Sequence, residues 1–135
     1  MQSDKITFLV VDDDPVALEV AKERLERLGF LVSTRSQSLG TSALILRERP
    51  NFVLLDVMMP ALTGGELAAL VKRRKLNTGI ILHSSKSIHE LQELVRETGA
   101  LGAVSKTFGE YLFNYEVIRL VRRYLQGRVE LTEET

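Results

Sequence analysis

The sequence contains no cysteine, which excludes disulfides, zinc–thiolate centres and thiol chemistry. An excess of one charge is missing too: 18 basic residues balance 18 acidic ones. No strong general field invites nucleic acid, although a local patch is compatible with that balance. Long apolar runs are also absent. The N-terminal one, Ile6–Val11, is stopped by Asp12 and is too short for a signal peptide or a membrane span. There is no internal repeat, no low-complexity segment and no G-x-x-x-x-G-K-[ST] nucleotide loop. The expected setting is reducing and cytoplasmic, away from membranes. What remains is a balanced globular composition, 44% hydrophobic and 27% charged over 135 residues, sufficient for one domain with a core.

Short apolar runs alternate with longer amphipathic stretches. Ile6–Val11 reads as a buried strand. Asp14 suits a helix N-cap and Pro15 a first helical turn, where a missing N–H costs nothing. Ala17, Ala21, Leu25 and Leu28 line one face of the helix, and Gly29 ends it. Phe30–Thr34 reads as a second strand, Thr41–Arg49 as a short helix before Pro50, and Phe52–Asp56 as a third strand. The loop "VMMPALTGG" leads to a helix over Glu66–Lys75. "GIILHS" is a fourth strand, Ile88–Thr98 a helix, "GAVSK" a fifth strand and Glu110–Gln126 a final helix. Strands apolar on both faces between amphipathic helices predict an α/β fold, a parallel sheet covered on both sides. A closed (β/α)₈ barrel needs about 250 residues, so the open, doubly wound form is expected. The flavodoxin-like strand order 2-1-3-4-5 is one of two common orders and fits five strands.

Such sheets bind ligands outside the carboxyl ends of their strands. The first strand ends in Asp12-Asp13, the third in Asp56, the fourth in Ser84-Ser85 and the fifth in Lys106. Taken singly, these are ordinary turn, cap and surface residues. Together they bring three carboxylates, a hydroxyl and an ammonium to one sheet edge. Carboxylates crowded beside an apolar strand repel one another and lose hydration, unless a cation and a lysine neutralise them. No histidine pair is placed for zinc, whereas carboxylates and waters suit Mg²⁺. Metal, carboxylates and lysine together are equipment for phosphoryl transfer. Without a nucleotide loop, the donor is expected to be another protein or a small phosphodonor, with an aspartate as acceptor.

These residues resemble the receiver domain of two-component response regulators, the CheY-like (βα)₅ form, across roughly residues 5–125. "FLVVDDDP", "VLLDVMMPALTGGEL", "IILHSS" and "GALGAVSK" fall in the family's order. The 28 residues from Asp56 to Ser84 and the 22 from Ser84 to Lys106 suit its spacing. The resemblance implies Asp56 as phosphoacceptor. It implies Mg²⁺, or Mn²⁺ in its place, on Asp13, Asp56 and the backbone carbonyl of Met58, with Asp12 acting through water. Ser84 would be the switch hydroxyl, Lys106 the phosphoryl-binding cation, and Pro60 and Gly64 part of the pocket floor. The expected partners are a histidine kinase or histidine phosphotransfer protein and a downstream protein target, with no direct nucleic-acid contact. The family's enzymology would be limited to self-phosphorylation and autodephosphorylation at Asp56. Residues 1–127 would form the single receiver domain, with 128–135 a tail or a linker onward.

The departures concern output. Thr107 stands where the family usually has a proline after a cis bond; a cis bond before threonine costs about 3 kcal/mol, so this peptide is trans or strained. Ala103 replaces the usual tyrosine or phenylalanine, so the usual hydroxyl–aromatic relay lacks its ring. Ser85 replaces a more usual alanine. Met58 and Lys86 occupy positions that tune phosphoryl lifetime, and neither accepts a hydrogen bond from attacking water. His83, ending an apolar strand, is expected to pack or cap, and His89 to be solvated. Leu112, Tyr115, Ile118, Val121 and Leu125 on the final helix are either a sheet-packing stripe or a dimer surface, so a monomer or weak homodimer is expected. Two other readings stand beside this one: a receiver that signals without phosphorylation, favoured by Ala103 and Thr107, and, much less favoured, a haloacid-dehalogenase-like phosphatase. The phosphatase reading rests on Asp12-x-Asp14-x-Val16 and is weakened by Pro15 and the short chain.

Overall fold

A computed structural model describes residues 5–59 and 64–134 of the chain. Among these, strands and helices alternate as β1 (Thr7–Val11), α1 (Pro15–Arg27), β2 (Leu31–Arg35), α2 (Thr41–Glu48), β3 (Phe52–Asp56), α3 (Gly64–Arg73), β4 (Gly79–Ser84), α4 (Ile88–Thr98), β5 (Gly102–Ser105) and α5 (Glu110–Glu134). Every strand pair is parallel, and the order is β2-β1-β3-β4-β5. The predicted doubly wound sheet and its strand order both hold.

Side-chain alternation splits the core in two. Phe8, Val10, Phe52, Leu54, Ile81 and Val104 face α1 and α5, packing against Leu25, Phe113 and Leu120. Leu9, Val11, Val53, Leu55, Ile80 and Leu82 face the other way, against Ile45 and Leu67. β1, β3 and β4 are buried on both faces; β2 is not. As the edge strand it is largely exposed, which corrects the expectation that every strand is apolar on both faces.

Element ends follow local hydrogen bonding. The Asp14 carboxylate accepts from Val16 N–H at 3.0 Å, with Pro15 in the first turn, as predicted. Gly29 adopts φ 96°, the left-handed turn that closes α1. Phe30 N–H donates back to Leu25 O at 3.2 Å, so it serves the helix cap and β2 begins at Leu31 rather than Phe30. Its ring turns inward, 4.9 Å from Phe8. α2 stops at Glu48 because Arg49 is left-handed ahead of Pro50. α3 starts and ends two residues earlier than predicted; left-handed Lys75 and the bond from Leu76 N–H to Val71 O close it.

The final helix does not stop at Gln126 but continues to Glu134. Gly127 costs a helix about 1 kcal/mol relative to alanine, and no proline follows to break it. The predicted dimer-or-core stripe also divides. Val121 is buried against the sheet, whereas Tyr115 is 58% exposed. At its start α5 is tied to α1 by a two-pronged Arg27–Glu110 pair, 2.9 and 2.7 Å.

Gly79 begins β4 under a stack of rings. A Cβ there would lie 2.9 Å from the Phe52 ring and 3.3 Å from Leu101. Phe52 is held between Phe8 at 5.1 Å and Tyr124 at 5.3 Å and has nowhere to retreat. Gly79→Ala is expected to destabilise the fold by about 1–3 kcal/mol, measured by urea unfolding at unchanged m-value. A neutral result would show that the ring stack yields.

Candidate functional site

Each strand delivers its last side chains to one edge because register aligns the ends. β1 and β3 run side by side with Val11 opposite Leu55, and Asp56 lies opposite His83 on β4. Asp12 and Asp56 are therefore buried, 1% and 3% exposed, while Asp13 reaches solvent. One oxygen from each of the three carboxylates lies within 4.8 Å of the others. Lys106, just past β5, spans the cluster: its Nζ is 2.8 Å from Asp12 Oδ2 and 3.4 Å from Asp56 Oδ1. The sheet thus assembles Asp12, Asp13, Asp56 and Lys106 as predicted.

The backbone holds these groups. Asp12 Oδ1 accepts from Asp14 N–H at 2.9 Å, and Asp56 Oδ1 from Met58 N–H at 3.0 Å. Asp12 Oδ2 is enclosed, and the Lys106 ammonium beside it at 2.8 Å neutralises it. Burial pushes the Asp12 carboxyl above its ordinary value, and Lys106 and Asp14 N–H oppose this without cancelling it. Burial by itself lowers the Lys106 ammonium, yet Asp12 and Asp56 outweigh that and hold it above its ordinary value.

Ser84, 1% exposed, accepts from Lys86 N–H at 3.1 Å through Oγ, and its carbonyl accepts from Lys106 N–H at 2.7 Å. Lys86 turns its ammonium toward α4, 3.7 Å from Glu90. Met58 is 64% exposed at the mouth of the site. Gly64 opens α3, and Pro60 lies outside the described residues. The Lys106–Thr107 bond is trans, as are all described peptide bonds. Thr107 N–H donates to Ser105 Oγ at 3.1 Å, a bond that a proline in its place could not make. Ala103 is half-buried against the α2–α4 side of the core.

His83 is buried, as expected of a packing residue, and its ring meets Phe113 edge-on at 5.8 Å. Desolvation, with Lys106 nearby, pulls its pKa down to about 3, so it is uncharged at neutral pH. His89 is exposed. Sequence reasoning missed Arg24, whose guanidinium covers the Phe113 ring at 5.3 Å and donates to Phe108 O at 3.1 Å. No motif marks it; only its place three residues after buried Ala21 and one before buried Leu25, at the border of the inward face, hints at it.

The donor set fits a hard divalent cation. All three side-chain groups offer oxygen, and the cluster contains no cysteine or histidine.

Comparison with known proteins gives a consistent result. The model of the response regulator receiver domain matches residues 8–114. The alkaline phosphatase synthesis transcriptional regulatory protein PhoP of Bacillus subtilis is 31% identical over 86% of this chain and 48% of its own length. An uncharacterized 14.6 kDa protein of Leptolyngbya boryana is 32% identical over 89% of this chain and 90% of its own. The signal receiver domain of the response regulator NarL from Mycobacterium tuberculosis superimposes with a TM-score of 0.76 at 24% identity, covering 89% of this chain and 98% of that one. The chain spans about half or less of the first two curated relatives it matches.

Three carboxylates against one ammonium leave two negative charges in surplus. With its pKa raised in the folded state, Asp12 binds its proton more tightly there than in the unfolded chain. Its ionised form therefore costs stability above the folded pKa, and that cost vanishes below the unfolded value near 3.8. Asp12→Asn is expected to raise Tm at pH 7 in metal-free buffer, with the gain fading as pH falls to about 3. Calorimetry across that range is the test; a lower Tm at pH 7 would mean that the Lys106 pair outweighs desolvation.

Proposed function

The chain belongs to the response regulator receiver domain family, a signalling family, and we propose that it is a phosphorylation-controlled switch with Asp56 as the phosphoacceptor. The observation that carries this reading is Lys106 held between buried Asp12 and Asp56 in a three-carboxylate edge site. Met58 N–H and Lys106 both engage Asp56 Oδ1, so Oδ2 is the oxygen assigned to attack. It forms the new P–O bond as the P–N bond of a phosphohistidine breaks; the imidazole leaves with the electron pair and is reprotonated. Lys106 then transfers its contact to the phosphoryl oxygens, stabilising charge that develops in the transition state.

Asp13, Asp56 and the Met58 carbonyl are the groups assigned to hold Mg²⁺, with Asp12 acting through water; Mn²⁺ shares the oxygen preference. When bound, the ion supplies positive charge against a dianionic phosphoryl group. Ser84 keeps its own O–H free for a phosphoryl oxygen, because the bond to Lys86 uses Oγ only as acceptor. The switch is read out through the loop after Ser84 and the face made by α4, β5 and α5. There a groove of about 650 Å³ is floored by Gly102 and Ala103 and walled by Ile88, Leu91 and Phe108. A histidine kinase or phosphotransfer protein upstream and a protein target downstream complete the circuit, as in the family generally.

One observation supports a second reading. Ala103 presents no ring to follow Ser84, so the pocket could serve recognition without phosphorylation. Intact-mass spectrometry after incubation with Mg²⁺ and acetyl phosphate separates the two. Wild type is expected to gain one phosphoryl group and Asp56→Asn none. No gain in wild type, with Mg²⁺ binding intact and the result repeated with a cognate kinase, would favour the phosphorylation-independent module.

Met58 and Lys86 are assigned to slow hydrolysis, since neither orients an attacking water. The wild-type acyl phosphate is expected to outlive that of a Met58→Asn, Lys86→Glu double variant severalfold, followed by loss of the phosphoryl mass with time. A shorter-lived wild type would remove that role.

A further inference from the structure

The loop between β5 and α5, residues 106–109, carries Lys106. Its composition does little to stiffen it. Thr107 and Gly109 are exposed, and a Cβ at Gly109 would meet nothing within 4 Å. Its own hydrogen bonds are short-range: Thr107 N–H donates to Ser105 Oγ at 3.1 Å and Phe108 N–H to Ser105 O at 3.3 Å. Lys106 N–H reaches the neighbouring strand at Ser84 O. A further bond comes from another helix. Arg24 of α1, 84 residues away in sequence, donates from its guanidinium to Phe108 O at 3.1 Å. That carbonyl lies ahead of α5, whose Phe113 N–H turns to Gly109 O instead. The guanidinium is half-buried and sits over the Phe113 ring, 5.3 Å from its centroid. Contact with an aromatic face pre-organises the planar fork of an arginine, so less freedom is lost for each hydrogen bond it makes. The backbone that carries Arg24 is also fixed, because Ala21 and Leu25 beside it are buried.

We propose that Arg24 is a positioning residue for Lys106: by anchoring the Phe108 carbonyl from α1, it fixes the loop that holds the ammonium between Asp12 and Asp56. Its effect on phosphoryl transfer rests on the reading of Asp56 as phosphoacceptor; its effect on the placement of Lys106 does not. Phe108 follows Lys106 by two residues, about 7 Å of chain at most, so releasing its carbonyl loosens the backbone under the lysine. Lys106 has little room for error, with Nζ 2.8 Å from Asp12 Oδ2 and 3.4 Å from Asp56 Oδ1. A misplacement of about 1 Å in a reacting geometry costs on the order of 10²-fold in rate. A second tie between the same two helices gives a built-in comparison. Arg27, three residues on, pairs with Glu110, the first residue of α5, and both side chains are solvent-exposed. Arg27 thus grips the helix, whereas Arg24 grips the loop that bears the lysine.

Two readouts on the full chain test this. The first is the rate at which acetyl N-hydroxysuccinimide ester modifies Lys106 in metal-free buffer, followed by peptide mass mapping. The second is the rate of phosphoryl gain with Mg²⁺ and acetyl phosphate, by intact mass. Arg24→Met keeps the aliphatic stem and removes every donor. It is expected to expose Lys106 to acetylation severalfold faster, with exposed Lys72 as the unchanged reference, and to slow phosphoryl gain about tenfold. Arg24→Lys, which retains a cationic donor, should recover most of that rate, and Arg27→Ala should stay within about twofold of wild type. In a Lys106→Ala background Arg24→Met should add no more than about twofold, since both act through one group. Circular dichroism verifies folding, and Arg24→Gln, with a shorter donor, replaces Arg24→Met if that variant does not fold. Unchanged Lys106 acetylation in a folded Arg24 variant would overturn the proposal. So would an equal loss in Arg27→Ala, which would make helix docking the cause, or a full further loss in the Lys106→Ala background. If wild type gains no phosphoryl group, the phosphoacceptor reading fails, and Lys106 acetylation alone decides the role of Arg24.

Discussion

Everything at this site depends on burying like charges at the end of an apolar sheet. Asp12 and Asp56 are almost inaccessible to water, and both draw on the same ammonium, Lys106. The carboxylates hold their places because the strands behind them are buried on both faces and parallel, so β1 and β3 end at the same level. A parallel sheet whose strands end in acids concentrates negative charge at one edge. The lysine relieves part of that charge, and the surplus is what makes the edge receptive to a cation and, with one bound, to a phosphoryl group.

The same edge is coupled to the two sides of the sheet differently. On the α2–α4 side Ala103 fills little space beside β4, and the groove between α4 and α5 opens over it. On the α1–α5 side the connection is dense. His83 precedes Ser84, sits opposite Asp56 in the ladder, and rests its ring on Phe113 of α5. Arg24 of α1 covers the same phenylalanine and holds the Phe108 carbonyl. Burial keeps His83 uncharged, so its ring adds no positive charge beneath the site. A shift of β4 at Ser84 is thus opposed by packed rings on one side and met by open space on the other.

Most of this was legible in the sequence because strands end where their chemistry changes. Apolar runs stopped by Asp12, Asp56, Ser84 and Lys106 mark both the strands and the site, and period-two burial needs no tertiary knowledge. What escaped depends on contacts that periodicity does not encode. Phe30 looks like strand, but its N–H is committed to the turn around Gly29. Gly127 looks like a stop, but a glycine without a following proline only weakens a helix. Lys86 looks able to reach the pocket, but Glu90, one turn along, draws its charge away. Arg24 carries no motif, because its role exists only once α1 and α5 lie side by side.

The final helix shows why one list of apolar residues can hide two surfaces. Leu112, Tyr115, Ile118, Val121 and Leu125 read as one stripe, yet around a 3.6-residue turn they do not share a direction. Val121 points into the sheet with Phe113, Val117 and Leu120, while Tyr115 and Ile118 belong with Tyr111 on the far side. A helix that served only as a cover for the sheet would need one apolar face and a polar back. Here the back carries two exposed tyrosines, Tyr111 and Tyr115, one turn apart.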